Sequence, residues 1–175
     1  RLTNEQAMDY FLLGYTAKVA GTEIGVTEPQ ATFSACFGAA FLPLHPSKYA
    51  ELLGEKLKAG GVRVWLLNTG WSGGPYGVGQ RMKLEHTRAM ISAVLRGDID
   101  RVPFKPHAVF GVMMPTQCPG VPDDLLNPRA TWADKTAYDL QSNALACAFR
   151  KNFQPYAGHV GVDVRNSAPE PLFLD

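Results

Sequence analysis

Apolar residues at Met8, Phe11, Leu12 and Tyr15 recur at i, i+3, i+4 and i+7, which predicts an amphipathic helix ending near Gly14. Its start carries a capping box, Thr3-Asn-Glu-Gln6, in which the Thr and Gln side chains would each satisfy an orphan backbone N–H. A second helix is predicted from Pro46, a residue suited to a first helical position, through the stripe Tyr49, Leu52, Leu53 and Leu57, closed by Gly60-Gly61. Between the two lies Gly14 to Gly38, which fits neither helix nor strand periodicity throughout. Its glycines at 14, 21, 25 and 38 are interleaved with Thr16, Lys18, Thr22, Glu23, Thr27 and Glu28, polar groups that a plain connector does not need.

Further along, Val62-Arg-Val-Trp-Leu-Leu67 is short and β-rich and predicts a buried strand emptying into Asn68-Thr69-Gly70 and a glycine-rich loop. Arg81 to Leu84 predicts a short strand before a helix carrying Ala89, Met90, Ile91, Val94 and Leu95, capped by Gly97. Ala108 to Met113 is a further candidate strand. Prolines and glycines from Pro115 to Pro128 predict an irregular crossing segment, and the spacing of Tyr138, Leu145, Phe149 and Phe153 predicts a long helix over about 134–153. The mixture defines an α/β (mixed α+β) chain.

Composition narrows the function classes. Of 175 residues, 17 are Lys or Arg and 16 are Asp or Glu, for a formal charge of +1, and the charges form no block that would track nucleic acid or an anionic membrane. No apolar run approaches the ~20 residues of a membrane helix. Cys36, Cys118 and Cys147 are odd in number and widely spaced, which speaks against a disulfide framework or a structural zinc site and for a reducing, cytoplasmic setting. His45, His86, His107 and His159 lack metal-ligand spacing and suit surface or capping positions. Trp65, Trp71 and Trp132 read as packing anchors, with Trp71 also able to line a pocket. Arg1 is not Met and a helix cap follows at once, so the expectation is a truncated chain.

The densest candidate chemistry is Gly70 to Gly79, with five glycines in ten residues, where backbone N–H groups can approach a ligand because no Cβ intervenes. It matches neither a dinucleotide fingerprint nor a GKS/GKT phosphate loop, and a simple turn has the same composition. Arg81 follows directly as a planar cation able to stack on a purine or bind phosphate, and Thr87 offers a hydroxyl; equally, Arg81 suits a solvated surface and Thr87 a helix N-cap. Cys36 reads as a buried, inert thiol.

The Gly14 to Gly38 segment and the run Leu66-Leu-Asn-Thr-Gly-Trp-Ser-Gly-Gly-Pro-Tyr-Gly-Val-Gly-Gln-Arg-Met-Lys-Leu-Glu-His-Thr-Arg88 together resemble the ATP-dependent phosphoenolpyruvate carboxykinases. The likeness runs through Asn127-Pro-Arg-Ala-Thr-Trp132 and the helix beyond, roughly nine tenths of the chain against the element pattern. It implies residues 1–158 as a C-terminal portion of such an enzyme's nucleotide-binding domain, with a mobile lid at about 14–33 and a tail at 159–175. It further implies nucleotide contacts from Arg81, Met82 and Thr87, Met82 standing where relatives carry Ile, and lid roles for Lys18, Thr22, Glu23 and Thr27. The implied reaction is decarboxylation of oxaloacetate and phosphorylation by ATP to phosphoenolpyruvate, CO2 and ADP, an early step of gluconeogenesis. Mg²⁺ would accompany the nucleotide and Mn²⁺ a second site. Phosphate loop, metal ligands and oxaloacetate-binding arginine are expected in a missing N-terminal portion, so this chain alone is expected to be inactive. The competing expectation is a catalytically inactive nucleotide-binding or structural fragment.

Overall fold

A computed structural model describes residues 1–18, 29–67 and 70–173. The first helix, α1 (Asn4–Leu13), begins with the capping box read from sequence: Thr3 accepts from the Gln6 N–H, and the Gln6 side chain accepts from the Thr3 N–H. Its burial departs from the expected stripe. Gln6, Ala7, Asp9, Leu12 and Leu13 are buried, whereas Met8 and Phe11 are only half-buried, because the helices at Pro46–Gly60, Lys135–Phe153 and Val162–Asn166 and a 3-10 turn at Ala35–Phe37 surround α1 on several sides.

Helix α2 (Pro46–Gly60) starts at Pro46 as predicted, and His45 caps it through Nδ1, which accepts from the Ser47 N–H. The face that packs is Ser47, Ala50, Gly54 and Leu57; Leu52 of the expected stripe is 51% exposed. Small residues win because α1 comes close: a Cβ at Gly54 would lie 2.5 Å from Met8 Sδ.

The Gly14 to Phe33 region has strand arms at both ends. β1 (Tyr15–Lys18) pairs antiparallel with β2 (Gln30–Phe33), Tyr15 opposite Phe33 and Lys18 opposite Gln30. Gly14 forms the corner in the left-handed conformation at φ 54°, where a Cβ would sit 1.8 Å from Ser34 O. Ser34 N–H donates to Gly14 O, and the next turn holds Cys36 and Phe37 at φ 51° and 59°, backbone that side chains rarely adopt.

Among the described residues, the strand expected at 62–67 joins no sheet. It has a single antiparallel bridge, Val64 to Leu2, and Val62, Leu66 and Leu67 are 53%, 50% and 40% exposed. Its β-rich composition finds one partner residue where a ladder would need several. The strand expected at 108–113 also shifts. Val109 and Phe110 lie in a turn whose N–H groups donate to His107 Nδ1, and pairing begins at Met113, where β6 (Met113–Pro115) lies against β5 (Phe104–Pro106).

Helix α3 (Leu84–Arg96) and the long α5 (Lys135–Phe153) stand as predicted, with Gly97 and the Asp134 side chain at their respective ends. One core gathers Leu12, Leu13, Ala50, Phe149, Phe153 and Val164, the last from α6 (Val162–Asn166). Phe149 anchors it, ringed by Tyr10, Tyr15, Phe33 and Phe110 at centroid distances of 5.1–5.8 Å. A second core joins Met90, Ala93, Ile99, Cys118 and Val121 and includes half-buried Trp65 and Met82. The class is mixed α+β: helices with small antiparallel hairpins. Among the described residues no helix is long and apolar enough to cross a membrane.

Candidate nucleotide site

The glycine-rich loop is a closed hairpin. β3 (Trp71–Ser72) pairs antiparallel with β4 (Gln80–Arg81), Trp71 opposite Arg81 and Ser72 opposite Gln80. A side chain at Gly79 would strike Gly74 O at 2.5 Å and Ser72 O at 2.6 Å, so the narrow turn demands glycine there. The Val78 and Gly79 N–H groups both donate to Pro75 O, at 3.1 and 2.9 Å. Gly73 N–H donates to Thr131 Oγ1 at 3.1 Å, which pins the hairpin to the short helix α4 (Pro128–Thr131). Met82 N–H donates to Gly70 O at 2.9 Å. The N–H groups of Gly73, Val78 and Gly79 are therefore engaged within the protein. These three donors hold the loop in place.

The three expected nucleotide residues lie on one continuous stretch from β4 into α3. Arg81 is exposed, and among the described residues no hydrogen bond or ion pair holds its guanidinium. Met82 is half-buried and packs against the second core. Thr87 is half-buried inside α3, its N–H donating to Lys83 O at 3.3 Å. Lys83 is the N-cap residue, so the N-cap alternative for Thr87 does not hold. Arg81, Lys83 and Arg88 are all exposed, against one carboxylate within residues 81–88, Glu85, which lies 3.6 Å from Lys83. The stretch is thus net cationic, as an anionic ligand requires.

Directly opposed residues in an antiparallel pair project to the same face, which sets the Trp71 indole beside Arg81. Tyr76, in the turn, packs edge-on to Trp71 with ring centroids 5.2 Å apart, and both remain substantially exposed, at 41% and 47%. Sequence reading named Trp71 as a possible lining residue but missed Tyr76 and Thr131. Tyr76 could have been found from the hairpin geometry of the glycine run, whereas Thr131 is 58 positions from the group it binds and leaves no local signal.

Elsewhere, Trp65 and Trp132 are anchors, against Phe104 and Tyr138 at 6.0 and 5.6 Å. His107 also packs internally: Nε2 lies 2.7 Å from the Tyr138 hydroxyl, and burial lowers its pKa. Cys36 is half-buried, its thiol directed at Pro46 O and its pKa raised by burial. Two open hollows of about 420 and 430 Å³, lined partly by Gln6 with Asp163 and by Leu140 with Phe173, include none of Arg81, Met82 and Thr87. Thr22, Glu23 and Thr27 lie outside the described residues; Lys18 is described as the last residue of β1, without its side chain. The Mg²⁺ and Mn²⁺ implied by the resemblance find no matching donor set: among the described residues no group of three or more His, Cys, Asp or Glu could hold a metal ion.

The chain is thus a mixed α+β unit in which a glycine-closed hairpin leads into a cationic helix start. Residues 1–124 match the family model described as phosphoenolpyruvate carboxykinase, and the chain belongs to that family. It is 59% identical over 169 residues to the phosphoenolpyruvate carboxykinase (ATP) of Thermus thermophilus and 56% identical to that of Christiangramia forsetii, in each case over 97% of this chain and 32% of the relative. The enzyme of the same name from Geobacter metallireducens is 57% identical over 94% of this chain and 31% of its own length. The chain thus spans about a third of the length of these curated relatives.

Proposed function

We propose that the chain forms the C-terminal lid-and-adenine part of an ATP-dependent phosphoenolpyruvate carboxykinase. Residues 1–158 would supply a portion of its nucleotide-binding domain, with 159–175 as a tail. The enzyme so completed would be a cytoplasmic carboxy-lyase of gluconeogenesis acting on oxaloacetate and ATP, its phosphate loop and metal ligands supplied by the remaining polypeptide. The observation that carries this reading is the β3–β4 register, which leaves Arg81 exposed on a cationic stretch immediately before α3.

In the proposed reaction the C–C bond to the departing carboxylate breaks, CO2 leaves, and the electron pair remains as the enolate of pyruvate. The enolate oxygen then attacks the γ-phosphorus, and the bond to the β-phosphate oxygen of ADP breaks. Metal ions bound by the rest of the enzyme would spread charge on the transferred group. Arg81 would hold the nucleotide through its planar cation, Met82 would supply an apolar wall backed by the second core, and Thr87 a hydroxyl from α3. Closure of a lid over about 14–33, with Lys18, Thr22, Glu23 and Thr27 among its polar groups, would keep water from protonating the enolate to pyruvate.

The test is Arg81→Ala in a polypeptide of the relatives' length that carries these residues. Loss of a charge-assisted contact is expected to weaken ATP binding by roughly ten- to a hundredfold, read as the Kd for ATP. An unchanged Kd would return Arg81 to the solvated surface.

A further inference from the structure

We propose that Trp71 and Tyr76 form a stacking wall for the base of the nucleotide, so that the glycine hairpin recognises its ligand through aromatic faces and not through its backbone. The inference rests on the nucleotide reading above and adds two residues to it. Three observations support it. First, the register places Trp71 across from Arg81 on one face of the hairpin, so an aromatic and a cation stand side by side, the pairing that grips a flat heterocycle and its attached phosphates together.

Second, the pair is built but not covered. Tyr76 lies edge-on to Trp71 at 5.2 Å, and 41% of Trp71 and 47% of Tyr76 face outward, so both rings can be reached by a ligand from outside the hairpin. The turn carrying Tyr76 is held rigid by the two N–H bonds to Pro75 O and by the glycine-only approach of Gly79 to Ser72 and Gly74. The aromatic pair is therefore positioned before any ligand arrives.

Third, the usual alternative role for such a loop is weakened by its own hydrogen bonds. Gly73 N–H is bound to Thr131, and the Val78 and Gly79 N–H groups are bound to Pro75, so these donors are not left to receive phosphate oxygens. Among the groups the hairpin presents outward are the two rings, the Arg81 guanidinium and Val78.

The experiment compares ATP with tripolyphosphate, which carries the charge without the base, in a polypeptide of the relatives' length containing these residues. Trp71→Leu and Tyr76→Ala are expected to weaken ATP binding by roughly 5- to 100-fold each while leaving tripolyphosphate binding within about twofold. Trp71→Phe, which keeps an aromatic face, is expected to restore most of the loss. Equal losses for both ligands would mean that the variants damage the hairpin as a whole, and would overturn the stacking role. So would full ATP affinity in Trp71→Leu and Tyr76→Ala alongside a loss in Arg81→Ala, an outcome that leaves the nucleotide reading standing. If all these variants, Arg81→Ala included, bind ATP as the parent does, the nucleotide reading fails and the wall fails with it.

Discussion

At Asp9, α1 carries a carboxyl group into its buried face, fully inaccessible and with neither oxygen hydrogen-bonded. Burial disfavours the charged form and pushes its pKa up to about 7. The folded state therefore holds this proton over a range in which the unfolded chain, with an ordinary carboxyl near 3.8, has released it. By linkage the contribution of Asp9 to stability falls as pH rises from about 4 to about 7 and is level above that. Asp9→Asn is expected to remove this dependence and to stabilise the fold at pH 8 by on the order of 4 kcal/mol, measured by urea unfolding of both proteins at pH 5 and pH 8. If the gap between variant and parent is the same at both pH values, Asp9 is not the titrating group. Gly14 makes a comparable case in backbone geometry: with φ at 54° and a Cβ position 1.8 Å from Ser34 O, Gly14→Ala cannot be relieved by turning a side chain. It is expected to cost more than about 2 kcal/mol and to separate β1 from β2, visible by hydrogen exchange as lost amide protection in Ser34, whose N–H donates to Gly14 O, and in the opposed pair Thr16 and Thr32.

Among the elements, those with local signals were legible in the sequence. Thr3 and Gln6 mark a helix start, Pro46 another, and Gly97 a helix end, because caps act within one turn of chain. Strands fared differently, since pairing depends on residues far away. Val62 to Leu67 has the composition of a buried strand and a single bridge to Leu2, while Met113 to Pro115 pairs with Phe104 to Pro106 only after a turn organised by His107. The helix faces were also blurred: α2 buries Ala50 and Gly54 in place of Leu52, because close approach to Met8 favours smallness over hydrophobicity. For the candidate site, position was legible and construction was not. Arg81, Met82 and Thr87 could be singled out along the chain, but the spent N–H groups of the hairpin, the ring pair and the Thr131 anchor needed three dimensions.

On the scale of the whole molecule, the proposed lid gives the clearest functional expectation. Removing residues between Gly21 and Gly25 in a polypeptide of family length is expected to raise the ratio of pyruvate to phosphoenolpyruvate released from oxaloacetate, because a shortened cover admits water to the enolate. A product ratio equal to that of the parent would show that the segment has another task. The way the first two residues are seated carries a different kind of consequence. Arg1 and Met113 exchange N–H···O bonds in both directions, at 2.6 and 3.1 Å, the Arg1 guanidinium lies over the Phe104 ring, and Leu2 bridges to Val64. A single dipeptide thus stitches together segments more than sixty and a hundred positions away. Closing loops of that length costs more chain entropy than closing the single turn at the α1 cap, so the seam at Arg1 and Leu2 brings long-range pairing into a chain otherwise rich in local helices.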